Sequence, residues 1–143
     1  MDLGIYQAYN NKKTNVLCID ARIDLLDSEN DDESHIKQLI LHEPNYLFNY
    51  AHLAYQSYLN PPEVYEMLEK LNFDKVRLGE VAHDIKQVEP VIRFADMVSF
   101  DLSAIRHNDC KAKKDSYPFG ISSEQACQMA WYAGISNRCS SFS

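Results

Sequence analysis

Asn15-Val16-Leu17-Cys18-Ile19-Asp20-Ala21-Arg22-Ile23-Asp24 is the stretch on which the fold turns. A short apolar run, Val16 to Ile19, closes on an acid. That is how a parallel strand buried on both faces reads. A second run closes in the same way: Met97-Val98-Ser99-Phe100-Asp101.

Between and around these two runs the chain alternates in character. Asp27 to Glu33 is a charge-rich loop. From His35, the positions Ile36, Leu39 and Ile40 have helical spacing that ends before Pro44. Tyr46 to Leu59 is aromatic, and a strand is expected over Phe48–Tyr55 with the tyrosines as its packing face. Pro61-Pro62-Glu63 opens a helix, because proline suits a first turn. Val64, Met67, Leu68 and Leu71 form its inner stripe. Val76–Val81 reads as a short strand broken by Gly79. Ile85, Val88, Val91 and Ile92 have helical spacing, with Pro90 near the start of that helix. His107 to Tyr117 is a polar loop carrying Lys111, Lys113 and Lys114. Ser122 or Ser123 caps a last helix that runs through Ala126, Met129, Ala130 and Ala133 to Gly134, with Trp131 partly buried on it. Ser140–Ser143 begins one more strand. Alternation of strands and helices predicts a mostly parallel sheet covered on both faces. Neither a repeat nor a linker divides the chain, so residues 1–143 read as a single α/β domain.

Composition narrows the function classes. The chain has 143 residues, 45% of them apolar and 24% charged, which is ordinary for a globular domain. A net charge of -7 is the wrong sign for a nucleic-acid surface and for anionic membranes. No apolar run approaches the roughly 20 residues of a membrane helix. Met1 to Asn15 is too polar for a signal peptide. Cys18, Cys110, Cys127 and Cys139 form no CxxC pair, which argues against zinc-ribbon and thioredoxin readings. Cys18, in its apolar run, reads as a reduced buried thiol. A cytoplasmic location is expected.

Ligands in open α/β sheets collect outside the carboxyl ends of the strands. Asp20 and Asp101 stand at two such ends. Where the backbone stays extended, a spacing of two puts Asp20 and Arg22 on one side, and likewise Asp101 and Ser103. Converging carboxylates can hold divalent metal, and two metals about 3.5–4 Å apart can activate one water. Taken singly, each acid reads equally well as a helix cap or loop residue. His35, His42, His52, His83 and His107 lack ligand spacing and read as surface or capping residues.

The motifs also carry a resemblance. Asp20-Ala21-Arg22-Ile23-Asp24-Leu25 resembles the Asp-Ala-His-x-Asp-Leu motif of the ureohydrolases, the family of arginase, agmatinase and formimidoylglutamase. Val98-Ser99-Phe100-Asp101-Leu102-Ser103 resembles the Ser-x-Asp-x-Asp motif. Gly120-Ile121-Ser122-Ser123-Glu124-Gln125-Ala126 resembles the late Gly-Leu-Thr-x-x-Glu segment. Ser99 to Ile105 and Glu124 to Gly134 are most similar to the formimidoylglutamase-like branch. The resemblance implies a three-layer α/β/α sandwich with a mostly parallel sheet, of which this chain is the later part, so an incomplete arginase-like domain. It implies two manganese ions and hydrolysis of a C–N bond in a small amidine or guanidino substrate.

Carried over by position, Asp20, Asp24 and Asp101 match metal ligands. Arg22 replaces a histidine ligand and Ser103 replaces an aspartate. Gln125, or Glu124 one residue away, falls at the late glutamate on the second-shell or substrate side. A guanidinium has only donors, so Arg22 cannot ligate a cation. It is expected instead to form an internal salt bridge with the three acids in place of manganese. Two functional readings follow: a manganese-dependent hydrolase of linear amidines with a depleted metal site, or an inactive member or fragment with a structural, assembly or regulatory role. The expected partner is a second copy of the chain or a missing segment of the same domain.

Overall fold

A computed structural model describes residues 13–25, 35–41, 45–112 and 117–143. The expected loop at Asp27–Glu33, His42, Pro44, Lys113 and Lys114 lie outside the described residues, as does the side chain of His35. Among the described residues five strands form one parallel sheet: β1 (Thr14–Ile19), β2 (Leu47–Tyr55), β3 (Asp74–Arg77), β4 (Met97–Phe100) and β5 (Ser141–Phe142). Their order across the sheet is β3-β2-β1-β4-β5. Five α-helices accompany them: α1 (His35–Leu41), α2 (Pro62–Lys70), α3 (Leu78–His83), α4 (Glu89–Phe94) and α5 (Ser123–Gly134).

β1 is central and apolar because both of its faces are covered. Leu17 and Ile19 join Ala51, Leu53 and Val98 in one core with Val81, Val88, Ile92, Met129 and Ala133. Val16 and Cys18 pack on the other side with Tyr50, Met97, Leu39, Val64 and Leu68. Helices α3, α4 and α5 therefore cover one face and α1 and α2 the other. This is the α/β/α sandwich that alternation predicted, with an all-parallel sheet.

Several local expectations are corrected. The third strand ends at Arg77, before Gly79, and residues 78–83 turn into helix α3. Six residues span less than two turns, too few for helical periodicity to stand out. The apolar spacing from Ile85 to Ile92 divides into a 3-10 turn over Ile85–Val88 and then α4, with Pro90 in the first turn of α4. On α2, Val64 and Leu68 are buried, whereas Met67 is 37% and Leu71 38% exposed. Trp131 is 60% exposed rather than packed. The expected last strand is present as β5, and Ser122 caps α5. None of the described helices is long and apolar enough to cross a membrane.

Candidate functional site

The sheet topology creates one switch point. From β1 the chain moves through β2 to β3 on one side, then returns to place β4 on the other side of β1. The crevice outside the carboxyl ends of β1 and β4 is where such sheets accept ligands. Ile19 pairs with Phe100, so Asp20 and Asp101 leave the sheet side by side. The Asp101 amide extends the ladder by donating to the Ile19 carbonyl at 2.9 Å.

Beyond these two residues the tails are held differently. The β4 tail enters a 3-10 turn over Leu102–Ala104, with the Asp101 carboxylate capping it by accepting from the Ser103 amide at 2.7 Å. The Ser103 hydroxyl then reaches across and donates to Asp20 Oδ1 at 2.7 Å. The same oxygen accepts from the Arg22 amide at 3.1 Å. Burial raises the Asp20 carboxyl above its ordinary range. The hydrogen bonds from Ser103 and Arg22 oppose that rise, and the charges of Asp101 and Asp24 add to it.

The β1 tail is stapled from a distance. Asn60, only 7% exposed, accepts from the Ile23 amide at 2.7 Å and donates to the carbonyls of Ala21 at 3.2 Å and Gln56 at 2.8 Å. The Gln56 amide also donates to the Ala21 carbonyl at 2.9 Å. Just before this anchor, β2 bulges at Ala54, whose φ of 66° is left-handed. Such a conformation is strained for a residue with a Cβ. It allows the chain to leave the sheet and bring Gln56 and Asn60 against the Asp20–Asp24 loop.

Behind Asp20 lies a buried polar chain that the sequence reading missed. His52 reads in the sequence as a surface or capping residue, yet it is fully buried. Its Nε2 lies 3.0 Å from the Asp20 carbonyl, which only accepts, so Nε2 carries the proton. Nδ1 therefore accepts from the Tyr50 hydroxyl at 2.8 Å. Burial lowers the His52 pKa to about 4 and keeps the ring neutral. The Tyr50 hydroxyl also meets the Cys18 thiol. Cys18 retains some solvent contact while its sulfur is enclosed, and burial pushes that thiol up to about 12. Only the alternation of β2 could have flagged His52: it sits two residues from Tyr50, on the face β2 turns toward α1 and α2.

The other sequence candidates fall elsewhere. Arg22 is exposed and joins none of the ion pairs among the described residues. The expected salt bridge with the three acids is thus not formed. Two amides and a hydroxyl, all neutral donors, meet Oδ1 of Asp20 and of Asp101. Gln125 closes a capping box, accepting from the Ser122 amide at 3.0 Å, and its amide reaches the Ala82 carbonyl at 3.4 Å. Glu124 is exposed in the first turn of α5.

The donor set does not suit a two-manganese centre. Among the described residues no group of three or more His, Cys, Asp or Glu is arranged to hold a metal ion. Ser103 engages one oxygen each of Asp20 and Asp101, Arg22 offers no lone pair, and both ring nitrogens of His52 are engaged.

No family model matches the sequence. No curated protein sequence matches it either. Solved structures do. A Trypanosoma cruzi formiminoglutamase solved with Mn2+ superposes with a TM-score of 0.81 at 15% identity, covering 94% of this chain and 48% of that one. Formimidoylglutamase from Bacillus subtilis gives 0.76 at 15% identity, covering 96% and 47%. Entamoeba histolytica arginase in complex with L-ornithine gives 0.79 at 18% identity, covering 97% and 54%. The fold is therefore the ureohydrolase fold, and the chain spans about half the length of the structures it matches.

Proposed function

We propose that this chain is a ureohydrolase-fold domain that does not itself carry out metal-dependent C–N hydrolysis and that serves in assembly or regulation. The observation that carries this reading is the Ser103 bridge. Its amide and hydroxyl engage Asp101 and Asp20, the two acids at the switch point. The Ser103 hydroxyl and the Arg22 amide together take up the lone pairs of Asp20 Oδ1, and serine is a weak ligand for a hard dication beside carboxylate. Four free cysteines support a reducing compartment such as the cytoplasm. The partner is a second copy of the chain or the remainder of a ureohydrolase domain, supported by its half-length match.

A second reading is favoured by one observation: Asp20 and Asp101 leave the sheet side by side, and the charge of Asp24 is felt at Asp20. With further donors from a partner or a longer chain, the cleft at these strand ends would serve a manganese-dependent hydrolase of small linear amidines or guanidines. Assays with arginine, agmatine and formimidoylglutamate in the presence of manganese separate the two. The first reading expects no turnover above background. Turnover that disappears on chelation overturns it and supports the second.

A further inference from the structure

Two acids side by side at strand ends repel one another, and taking a carboxylate out of water needs a partner. In the ureohydrolase pattern a dication would meet that need. Here Asp20 Oδ1 accepts from the Ser103 hydroxyl and the Arg22 amide, and Asp101 Oδ1 accepts from the Ser103 amide. These three donors are neutral, and the Arg22 side chain is exposed.

Residue 103 has a particular geometric opportunity. Its amide is fixed over Asp101 by the 3-10 turn, which aims its Cβ back across the gap between the β4 and β1 tails. One atom beyond that Cβ then spans the remaining distance to Asp20, and the hydroxyl closes a bond between residues 83 positions apart. The serine is 5% exposed, so water competes poorly for this contact. An aspartate at 103 could not donate. It would add another acid to the cleft and restore the demand for a cation.

We infer that Ser103 is a clasp that replaces a bridging cation, cross-linking the β1 and β4 tails through hydrogen bonds to Asp20 and Asp101 and closing the cleft to divalent metal. The inference rests on the non-hydrolytic reading above and explains how the two acids can stand side by side. It assigns different roles to the two members of the pair. Ser103 is needed as a donor. Asp20 is needed only as an acceptor, which an amide oxygen also provides.

The test is thermal melting of the full chain, metal-free and with manganese. Wild type melts at the same temperature with manganese or with chelator. Ser103→Ala melts lower by roughly 5–10 °C, the scale expected for losing a charge-assisted bond. Asp20→Asn, which keeps the acceptor and removes the charge, melts no lower than wild type. Ser103→Asp is stabilised by manganese where wild type is not. Should Ser103→Ala fail to fold, Asp20→Asn and Ser103→Asp still decide the matter. A manganese-dependent rise in wild type, or a loss in Asp20→Asn as large as that in Ser103→Ala, overturns the clasp. The two proposals fail separately. Amidine turnover by chelator-treated protein would end the non-hydrolytic reading and leave the clasp intact. A manganese-dependent rise in wild type without turnover would end the clasp and leave that reading intact.

Discussion

The two acid-tipped strands end alike in sequence but are secured by opposite means. The β1 tail is held by a side chain: Asn60 reaches 37 residues back to pair with the Ile23 amide. Past the Ser103 turn, the β4 tail is held by backbone. Ile105 bridges Ile121, the Ile121 amide donates to the Ala104 carbonyl at 2.9 Å, and the Arg106 amide donates to the Ile121 carbonyl at 3.1 Å. That close approach is possible because residue 120 is glycine. A Cβ there would lie 2.4 Å from the Arg106 nitrogen and 2.6 Å from the Ala104 oxygen. One tail therefore depends on a polar group being present, the other on a side chain being absent.

The largest effect is expected where atoms cannot yield. Gly120→Ala forces backbone apart on the β4 side, and a loss of about 3 kcal/mol, the upper end for overpacking, is expected from chemical denaturation. A loss under about 1 kcal/mol would mean that the 120–121 segment is not tightly seated on the β4 tail. Asn60→Ala should cost about 2–3 kcal/mol, because the buried Ile23 amide loses its acceptor and the carbonyls of Ala21 and Gln56 each lose a donor. Asn60→Asp sharpens the comparison. It keeps the acceptor for Ile23 but loses both donated bonds and adds a charge near Asp20 and Asp24. It should therefore be no better tolerated than alanine.

These two tails also show what could be read in advance. The apolar runs ending at Asp20 and Asp101 located two adjacent strands of the sheet, β1 and β4, because burial on both faces leaves a compositional trace. The cap at Ser122 was equally visible. Asn60 was not, since a polar residue after a strand and before Pro61 reads as ordinary turn chemistry. Its role arises only when the Ala54 bulge swings it onto a loop far away in sequence. His52 was misplaced for a related reason. Its neighbours Tyr50 and the Asp20 carbonyl satisfy it from two different strands, and a single sequence does not record that pairing.

His52 supplies a pH-dependent test of the β1 side alone. Its pKa is about 4 in the folded protein against 6.5 ordinarily, so the unfolded chain takes up the proton first. Stability from the neutral ring is complete above pH 6.5 and is lost as pH falls from 6.5 toward 4, by up to about 3 kcal/mol. Asp20 acts in the opposite sense. Its raised carboxyl pKa favours the folded state at low pH, and that contribution fades as pH rises above the ordinary aspartate value. Stability measured across this range should slope downward on acidification, and His52→Gln should flatten the slope. An unchanged slope in that variant would show that His52 is not the titrating group.

The smallest effect is the most pointed, because it separates two ways of balancing the same acids. Arg22 contributes only its backbone amide to Asp20, and a backbone amide survives any substitution except proline. Its side chain is exposed and outside the ion pairs of the described residues. Arg22→Ala should therefore change stability by no more than about 0.5 kcal/mol, as surface substitutions do. Had the guanidinium neutralised Asp20, Asp24 and Asp101 in place of a metal, removing it would leave buried charge unpaired and cost about 3–5 kcal/mol. The two expectations differ several-fold, well beyond the error of a denaturation curve. A large loss in Arg22→Ala would return the balancing role to the cation. A negligible loss, beside a clear loss in Ser103→Ala, would leave it with the neutral donors of Ser103.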